Sequence, residues 1–479
     1  MNHSEIVLTR FFQGIRCGKG IILTTITFYG GVGEVGGNKF LIESKETSLF
    51  LDFGKNYARE KKFYEEPFLR PKDEEHLLSL GIIPKVPGIY KADENEPMID
   101  GIVLSHAHTD HGDSIRYLKD DLPVHCGSVT KHIILAREFS GLYQGEYAIG
   151  KCSKLRGQDC YEQKCLKNFV EIEAGQKHKI GDIGVTQHCV DHSTPGACGT
   201  ILETPDSVIA YTGDIRVHGR RQRLTRSFIE GAKKAKPDIL LIEGTNMLEG
   251  KMNNEDDVMS KAIDVADRTK GLVMTGFSNA DLDRARTFHE VAKATGRTLV
   301  LSAKQAYILH RLRQFKDQDF LSLKDDDVAV FLKSKKRRSP FEIELESEKS
   351  YNIMEAGDVK GRQKEILLAF TLYDMNETFE IKPIVGSSYI LSSSEPFDEE
   401  MEITYDKLCN WLQHLGMPLY QIHASGHARP YELKEIIAEI SPEVVMPIHT
   451  SSPDLYASFI SDVGVKVDIP EDGMVYQIH

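Results

Sequence analysis

The 479-residue chain lacks most of the features that mark membrane, secreted and disulfide-bonded proteins. It contains no run of about 18 apolar residues, so we expect no membrane span. Residues 1–24 lack the continuous apolar centre and the small-residue cleavage site of a signal peptide, and they predict a short N-terminal extension. Eight cysteines are too few to form a disulfide scaffold in a chain of this length. Together these absences favour a cytoplasmic protein.

Three of the cysteines, Cys152, Cys160 and Cys165, lie close together in the sequence. Their spacing matches no standard zinc knuckle, and three thiols do not complete a tetrahedral site. Reduced thiols in a loop are therefore the favoured interpretation, and an accessory metal site or a disulfide is the alternative.

An excess of positive charge is also absent, since the formal net charge is −13 at pH 7. This charge argues against a protein that binds nucleic acid over its whole surface, but it leaves a local basic groove open. Two basic runs, residues 216–226 and residues 333–338, could form such a groove. For each of them the alternative is a charged face that contacts only solvent.

Several short apolar runs are present, and each ends in a residue that could carry chemistry. Their length and their content of Val, Ile and Leu predict buried strands. The residues that end the runs are Asp52, His106, Asp214, Glu243 and His449. Polar side chains at one end of many strands predict a site along one edge of a layered α/β sheet.

The length of the chain predicts more than one domain. Residues 25–250 alternate strands and helices, with a long polar excursion near residues 55–98. The alternation continues through residues 251–415 with no further His/Asp motif, which predicts an inserted domain. The strand that carries His449 then predicts that residues 416–479 return to the first domain.

The segment "HAHTDH" places three imidazoles and a carboxylate within six residues. His106 and His108 are two apart, so in an extended segment they point the same way and can reach one ion. Asp110 and His111 lie beyond a bend and can face a second ion. Imidazole and carboxylate groups are common ligands of divalent metals. The further predicted ligands are His192, Asp214 and His449.

This set of ligands predicts two divalent metal ions. Each ion would have three ligands of its own and would share Asp214, with a bridging hydroxide between ions about 3.5–4 Å apart. Zinc suits the His/Asp ligands, and manganese is the alternative. A buried structural histidine would explain any one of these residues, but it does not explain the whole set.

The segment "SHAHTDHGD" resembles the signature of the metallo-β-lactamase fold. Asp52 in "FLDFG" matches the first motif of that superfamily, and His192 and Asp214 match its third and fourth motifs. The resemblance implies an αββα sandwich of the α/β class. It also implies that Asp52 is not a metal ligand but a partner that orients a metal-binding histidine.

Later motifs resemble those of the β-CASP nucleases, in which an extra domain is inserted into the same fold. They are Glu243 in "LLIEGTN", His427 in "HASGH" and His449 in "PIHT". Together with "GGVGEVGGNKFLI" and "VDHSTPGACG", they are similar to the ribonuclease J group in its short, archaeal-like form without a C-terminal domain. The resemblance spans residues 25–479 and implies that residues 251–415 form an α/β β-CASP domain.

The resemblance also implies roles for individual residues. Glu243 would orient a metal-bound histidine, and His427 would contact the scissile phosphate and protonate the leaving oxygen. His423 and Ser425 would donate hydrogen bonds to phosphate. The implied catalytic residues are Asp110, His427, Glu243 and Asp52. The expected RNA contacts further from the metals are Arg216, Arg220 and Arg221.

These observations predict a metal-dependent ribonuclease that degrades single-stranded RNA from the 5′ end, with endonuclease cleavage left open. We expect a homodimer, from the family resemblance and the excursion near residues 55–98. A small-molecule hydrolase such as a thioesterase is an alternative, but it does not explain "HASGH", Glu243 or the insertion. The motifs also leave open a DNA-directed β-CASP nuclease and a non-catalytic RNA-binding scaffold. The segment "SSSEPFDEE" departs from the pattern of the group and leaves the selectivity for RNA ends open.

Overall fold

A computed structural model describes residues 23–65, 68–141, 167–248, 252–394 and 399–478, and these residues form three seven-stranded sheets. Nearly all of the predicted N-terminal extension, and the cluster of Cys152, Cys160 and Cys165, lie outside the described residues. Within those ranges, no helix is long and apolar enough to cross a membrane.

The first sheet joins both ends of the described chain. Its order is β21-β1-β2-β3-β4-β5-β6, with β3, β4, β5 and β6 parallel to one another. The strands are β1 (Thr25–Phe28), β2 (Phe40–Glu43), β3 (Ser48–Leu51), β4 (Gly101–Val103), β5 (Val124–Cys126), β6 (Phe169–Glu171) and β21 (Val475–Gln477).

The second sheet has the order β20-β19-β11-β10-β9-β8-β7. Its strands are β7 (Lys177–Ile180), β8 (Ile183–Cys189), β9 (Cys198–Glu203), β10 (Val208–Tyr211), β11 (Ile239–Glu243), β19 (Val444–Ile448) and β20 (Lys466–Val467). Strands β10, β11 and β19 are parallel, so their carboxyl ends meet at one edge.

The third sheet is parallel throughout and has the order β15-β14-β13-β16-β12-β17-β18. Its strands are β12 (Val273–Gly276), β13 (Thr298–Ser302), β14 (Val328–Phe331), β15 (Ile353–Met354), β16 (Ile366–Ala369), β17 (Ser388–Leu391) and β18 (Leu419–Gln421). Strand β18 lies beyond residue 415, the predicted end of the insertion. The predicted division of the chain into domains stays a prediction.

Helices cover the faces of the sheets. They are α1 (Tyr57–Glu60), α2 (Glu74–Ser79), α3 (Thr109–Gly112), α4 (Ser128–Ser140), α5 (Gln222–Ala235), α6 (Glu255–Arg268), α7 (Leu282–Ala294), α8 (Ala303–Leu312), α9 (Pro340–Ser347), α10 (Ala356–Gly361), α11 (Thr378–Ile381), α12 (Glu399–Leu415), α13 (Pro430–Ile440) and α14 (Pro453–Phe459). Short 3₁₀ turns lie at Asp113–Tyr117, Lys316–Gln318, Gln363–Glu365 and Leu372–Glu377.

The first two sheets pack face to face over an apolar layer that includes Phe28 and Leu51 from one sheet and Ile209 and Leu241 from the other. Helices α5 and α13 cover the outer face of the second sheet. Helix α4 covers the outer face of the first sheet, in a core that continues into α8 and the third sheet. This arrangement confirms the predicted αββα sandwich. Most parallel strands of the sandwich are buried on both faces of their sheets, which explains why nearly every residue in them is apolar.

Candidate metal centre

The carboxyl ends of the sandwich strands bring the predicted ligands together between the two sheets. One group of potential ligand atoms comes from His106, His108, His192 and Asp214, all within 4.8 Å of one another. A second group comes from Asp110, His111 and His449, whose potential ligand atoms also lie within 4.8 Å of one another. The grouping follows from topology, because each ligand lies at or just beyond the carboxyl end of a strand.

Asp214 lies between the two groups. Its Oδ2 is 3.2 Å from Nε2 of His111, and 3.6 Å from Nε2 of both His106 and His192. Its Oδ1 lies 3.9 Å from Nε2 of His449. Asp214 thus contacts members of both groups, and its sharing between two ions stays a prediction.

Three buried atoms at this place, Nε2 of His106, Nε2 of His111 and Oδ1 of Asp214, have no hydrogen-bond partner among the described residues. Buried polar atoms are nearly always satisfied, and one left alone destabilises a fold by about 1–3 kcal/mol. A divalent cation would satisfy all three atoms together. The imidazole and carboxylate donors therefore fit a divalent metal ion.

Opposing electrostatic effects act on the side chains of the cluster. Burial lowers the pKa of His106 and His192 well below the usual range, and burial lowers that of His108 to about 4. Burial would also lower the pKa of His111, but the carboxylates of Asp214 and Asp110 outweigh it and raise that pKa. Most of these imidazoles are therefore neutral, which is the form that binds a metal.

Asp52 lies behind the cluster and is fully buried. Its carboxylate lies 2.7 Å from Nδ1 of His111 and accepts hydrogen bonds from the amide of Ser105 at 2.6 Å and the hydroxyl of Ser105 at 2.7 Å. The hydroxyl of Tyr211 donates to the same carboxylate. A bond to Nδ1 leaves Nε2 of His111 facing Asp214, as expected of a residue that orients a ligand. Sequence reasoning missed Tyr211 and Ser105, which have no motif of their own.

Glu243 lies on the other side of the cluster, and its carboxylate is also fully buried. It lies 3.1 Å from Nδ1 of His427 and accepts a hydrogen bond of 2.7 Å from the hydroxyl of Thr245. The same hydroxyl lies 2.9 Å from Nδ1 of His449. Glu243 thus contacts His427 directly and reaches the predicted ligand His449 through Thr245. Thr245 was missed, although it lies two residues after Glu243 in "EGTN".

His427 differs electrostatically from the predicted ligands. Burial would lower its pKa, but the carboxylates of Glu243 and Asp214 outweigh burial and raise the pKa to about 9. Its Nδ1 lies 3.8 Å from Oδ2 of Asp214. The two carboxylates therefore favour the protonated form of this imidazole.

The loop of residues 423–427 packs directly against a predicted ligand. The carbonyl of Gly426 lies 2.6 Å from Nδ1 of His192. A Cβ at position 426 would lie 2.9 Å from the side chain of Ser193, so glycine is needed for this approach. Gly426 thus allows this loop to pack against Ser193, beside the predicted ligand His192.

The other two polar residues of this loop have partners within the protein. The hydroxyl of Ser425 accepts hydrogen bonds from the side-chain amide of Asn246 at 2.9 Å and from the amide of His427 at 3.2 Å. Nδ1 of His423 lies 3.2 Å from the carbonyl of Ser392. Their predicted hydrogen bonds to phosphate stay predictions.

Comparisons with known proteins agree with this geometry. Residues 84–275 match the model of the β-lactamase superfamily domain. Ribonuclease J of Mycobacterium tuberculosis is 22% identical over 463 residues, which cover 94% of this chain and 72% of that protein. Ribonuclease J of Thermus thermophilus is 23% identical over 475 residues, which cover 94% and 73%. The chain is a metallo-β-lactamase-fold protein that resembles ribonuclease J.

A solved structure also supports this assignment of the fold. The crystal structure of a protein of unknown function from Enterococcus faecalis matches it with a TM-score of 0.73 and 22% identity. The match covers 95% of this chain and 100% of that one. It includes the third sheet as well as the sandwich, so the whole arrangement recurs in an experimental structure.

The basic residues after Asp214 lie in different environments from those expected. Arg216 is fully buried, with its Nε 2.9 Å from Asp191 and its Nη1 3.2 Å from Glu255. The prediction that Arg216 contacts RNA is therefore wrong, because a buried guanidinium needs carboxylate partners inside the protein. Arg220 pairs with Glu290 at 2.6 Å, and Arg221 pairs with Asp283 at 3.0 Å. Arg220 and Arg221 are partly exposed, and their contact with RNA stays a prediction.

The second basic run, residues 333–338, is largely ion-paired. Lys333 lies 2.6 Å from Asp374, and Lys335 lies 2.8 Å from Glu342. Arg338 pairs with Glu355. These ion pairs neutralise much of the charge of residues 333–338. They favour the interpretation that this run is a charged face that contacts only solvent.

Proposed function

We propose that this protein is a metal-dependent ribonuclease that hydrolyses phosphodiester bonds of single-stranded RNA. The observation that carries the proposal is the position of His427, whose Nδ1 lies 3.1 Å from the buried carboxylate of Glu243 and 3.8 Å from the predicted ligand Asp214. An acid next to a metal cluster suits a reaction in which an alkoxide leaves, because the leaving oxygen needs a proton. The similarity to ribonuclease J supports RNA as the substrate.

Each group of the site has a defined task in this reaction. When bound, divalent ions would activate water and neutralise charge on the phosphate. His427 donates a hydrogen bond to the phosphate and a proton to the leaving 3′ oxygen, and Glu243 keeps it charged. Asp110 and His449 would be among the residues that hold the metal, and Asp52 orients His111 so that its Nε2 is available as a further ligand. The product would carry a 5′-phosphate.

We further propose that cleavage proceeds from the 5′ end, with RNA entering between the sandwich and the third sheet. The residues that follow strands β17 and β18, Ser392 and His423, contact each other at 3.2 Å, and His423 begins the loop 423–427, whose Gly426 contacts the predicted ligand His192. This connection between the third sheet and the ligands supports the path. Endonuclease cleavage is the alternative. Zinc as the native metal, the cytoplasmic location and the homodimer also stay predictions.

The decisive experiment uses one RNA with either a 5′-monophosphate or a 5′-hydroxyl, labelled at its 3′ end. Manganese or zinc is added, and EDTA serves as the control. Mononucleotides released while labelled fragments stay long, and faster release from the monophosphate, would support 5′ exonuclease activity. Discrete internal fragments would instead indicate an endonuclease. Absence of any metal-dependent RNA cleavage would refute the proposal, and model thioesters and DNA would then be assayed.

A matched pair of variants tests whether the cleavage belongs to this site. Asp110→Ala removes a predicted ligand, and we expect it to abolish cleavage while the protein stays folded. Asp113→Ala changes a carboxylate three residues further on that pairs with Arg116 at 2.9 Å, and we expect it to retain activity. Undiminished cleavage by Asp110→Ala would show that the activity arises elsewhere.

A further inference from the structure

A continuous network of buried charges connects the metal-ligand loops with the helices of the third sheet. Asp191, which precedes His192, pairs with Arg216 at 2.9 Å. Arg216 pairs with Glu255 at 3.2 Å, and Glu255 pairs with Arg284 at 2.8 Å. The side chains of all four charged residues are between 0 and 4% exposed.

Glu255 is the central member of this network and begins helix α6. Besides the two arginines it accepts a hydrogen bond of 3.2 Å from the hydroxyl of Thr287 on α7. Burial would raise its pKa, but Arg284 and Arg216 outweigh burial and lower that pKa to about 2. The carboxylate is therefore charged, and it holds both guanidinium groups in place.

The same two guanidinium groups also donate to the backbone of the loop 423–427. Nη1 of Arg216 donates to the carbonyl of Ser425 at 3.2 Å, and Nη2 of Arg284 donates to the carbonyl of Ala424 at 3.1 Å. The next carbonyl, that of Gly426, lies 2.6 Å from Nδ1 of His192. The network therefore ends at a predicted metal ligand, and the following residue is His427.

Stability alone does not account for such a network. Removing charges from water is expensive, and well-packed apolar residues often replace a buried ion pair at no loss of stability. Hydrogen bonds from a buried polar network do, however, limit the arrangements open to the groups that it contacts. Here those groups are consecutive carbonyls of a loop that carries the proposed acid.

We propose that Glu255 is a positioning residue which, through Arg216 and Arg284, fixes the loop 423–427 and thereby the orientations of His192 and His427. The inference rests on the proposed function for its effect on catalysis. Its structural part, the immobilisation of the loop, is independent of which substrate the site accepts.

The test compares Glu255→Gln with Asp264→Asn, which alters an exposed ion pair on the same helix. Three quantities are measured: bound metal, kcat and KM on RNA at saturating metal, and backbone hydrogen exchange. For Glu255→Gln we expect faster exchange confined to residues 423–427 and the adjoining β18. We also expect kcat per bound metal to fall about tenfold to a hundredfold, the range for partners of metal ligands. Asp264→Asn should match the wild-type protein.

Thr287 provides a milder pair of variants if Glu255→Gln fails to fold. Thr287→Val removes the hydroxyl that donates to Glu255, and Thr287→Ser keeps it. We expect Thr287→Val to show faster exchange in the same residues as Glu255→Gln, with a smaller loss of kcat. Thr287→Ser should have the exchange and the kcat of the wild-type protein. Unchanged exchange in the loop of Glu255→Gln or, where that variant does not fold, of Thr287→Val would overturn the proposal, as would exchange that rises equally throughout the sheets.

The outcomes also separate this inference from the proposed function. If the wild-type protein cleaves no RNA, the proposed function fails, while the exchange measurement still decides whether Glu255 holds the loop. If the wild-type protein cleaves RNA and Glu255→Gln cleaves equally well per bound metal, the proposed function stands and the positioning role is refuted.

Discussion

At the scale of the residue, the orientation of His449 depends on one hydroxyl group. The hydroxyl of Thr245 has a single proton, which it donates to Glu243 at 2.7 Å. Its oxygen also lies 2.9 Å from Nδ1 of His449. Nε2 of His449 faces the carboxylate of Asp110 at 3.1 Å. Thr245 thus holds Nδ1 and leaves Nε2 directed at the predicted metal ligands.

The first prediction compares two variants of this residue. Thr245→Val keeps the shape of the side chain but removes the hydroxyl, so we expect metal affinity to fall about tenfold to a hundredfold. Thr245→Ser keeps the hydroxyl and should bind metal like the wild-type protein. Titration of the EDTA-treated proteins with zinc measures both affinities. Equal affinity of the valine and wild-type proteins would contradict the role of the hydroxyl.

At the scale of the element, the glycine-rich segment between β1 and β2 supports the metal-binding loop. The amides of Gly37 and Asn38 donate to the carbonyl of Asp110 at 3.0 and 3.2 Å. Gly36 has a φ of 79°, and a Cβ there would lie 2.8 Å from the Cβ of Asp110. Gly33, in the same segment, has a φ of 65° but no atom within 4 Å of an added Cβ. Gly36 and Gly33 therefore both have a positive φ, but an added Cβ would meet another residue only at Gly36.

The second prediction uses this difference. Gly36→Ala and Gly33→Ala both carry the strain of a left-handed residue, about 1–2 kcal/mol. Only Gly36→Ala must also displace Asp110, so we expect it alone to weaken metal binding and cleavage. Thermal unfolding measures the shared strain, and zinc titration measures the specific effect. Equal metal affinities in the two variants would show that the segment does not position Asp110.

The positions of the strands were largely predictable from the local pattern of apolar residues. Asp52 and His449 directly follow strands β3 and β19, as the apolar runs before them indicated. Both residues turn the chain through a left-handed conformation, with φ values of 57° and 50°. Periodicity does not encode that turn, because a hydrogen bond to a distant residue stabilises it. For His449 the partner is the carbonyl of Gly31, 2.6 Å from its amide.

At the scale of the whole molecule, the metal centre joins parts of the chain that are far apart in sequence. The first sheet contributes His106 to His111, the second sheet contributes Asp214 and His449, and the loop after β18 covers His192. The buried atoms without partners, Nε2 of His106, Nε2 of His111 and Oδ1 of Asp214, lie where these parts meet. An ion bound there would stabilise their association.

The third prediction follows from this placement. Adding zinc or manganese to the EDTA-treated protein should raise its melting temperature, because a ligand that binds only the folded state stabilises it. At a free metal concentration of 100 times the Kd the gain is about 2.7 kcal/mol. Differential scanning calorimetry measures the shift. Asp214→Asn, which removes the shared carboxylate, should show a much smaller shift, and Asp264→Asn should show the full one. No shift in the wild-type protein would contradict a metal centre at this place.

The sequence by itself determined the features that depend on neighbouring residues. Apolar runs predicted the strands, and "HAHTDH" predicted a metal site, because burial and ligand spacing are local properties of the chain. The αββα sandwich was implied by the resemblance of "SHAHTDHGD" to the metallo-β-lactamase signature. Even the pairing of Asp52 with a ligand histidine could be inferred from its motif, since the same arrangement recurs across the superfamily that the motif resembles.

Only the tertiary structure decided which polar groups meet. Arg216 belongs to a basic run that is typical of a surface, yet it is buried between Asp191 and Glu255. Thr245 lies 204 residues from His449 in sequence, and Gly426 lies 234 residues from His192. Contacts at such separations depend on how the sheets pack, and no local pattern encodes them. The candidate ligands and their partners Asp52 and Glu243 could therefore be predicted from sequence motifs, whereas the contacts of Thr245 and Gly426 could not.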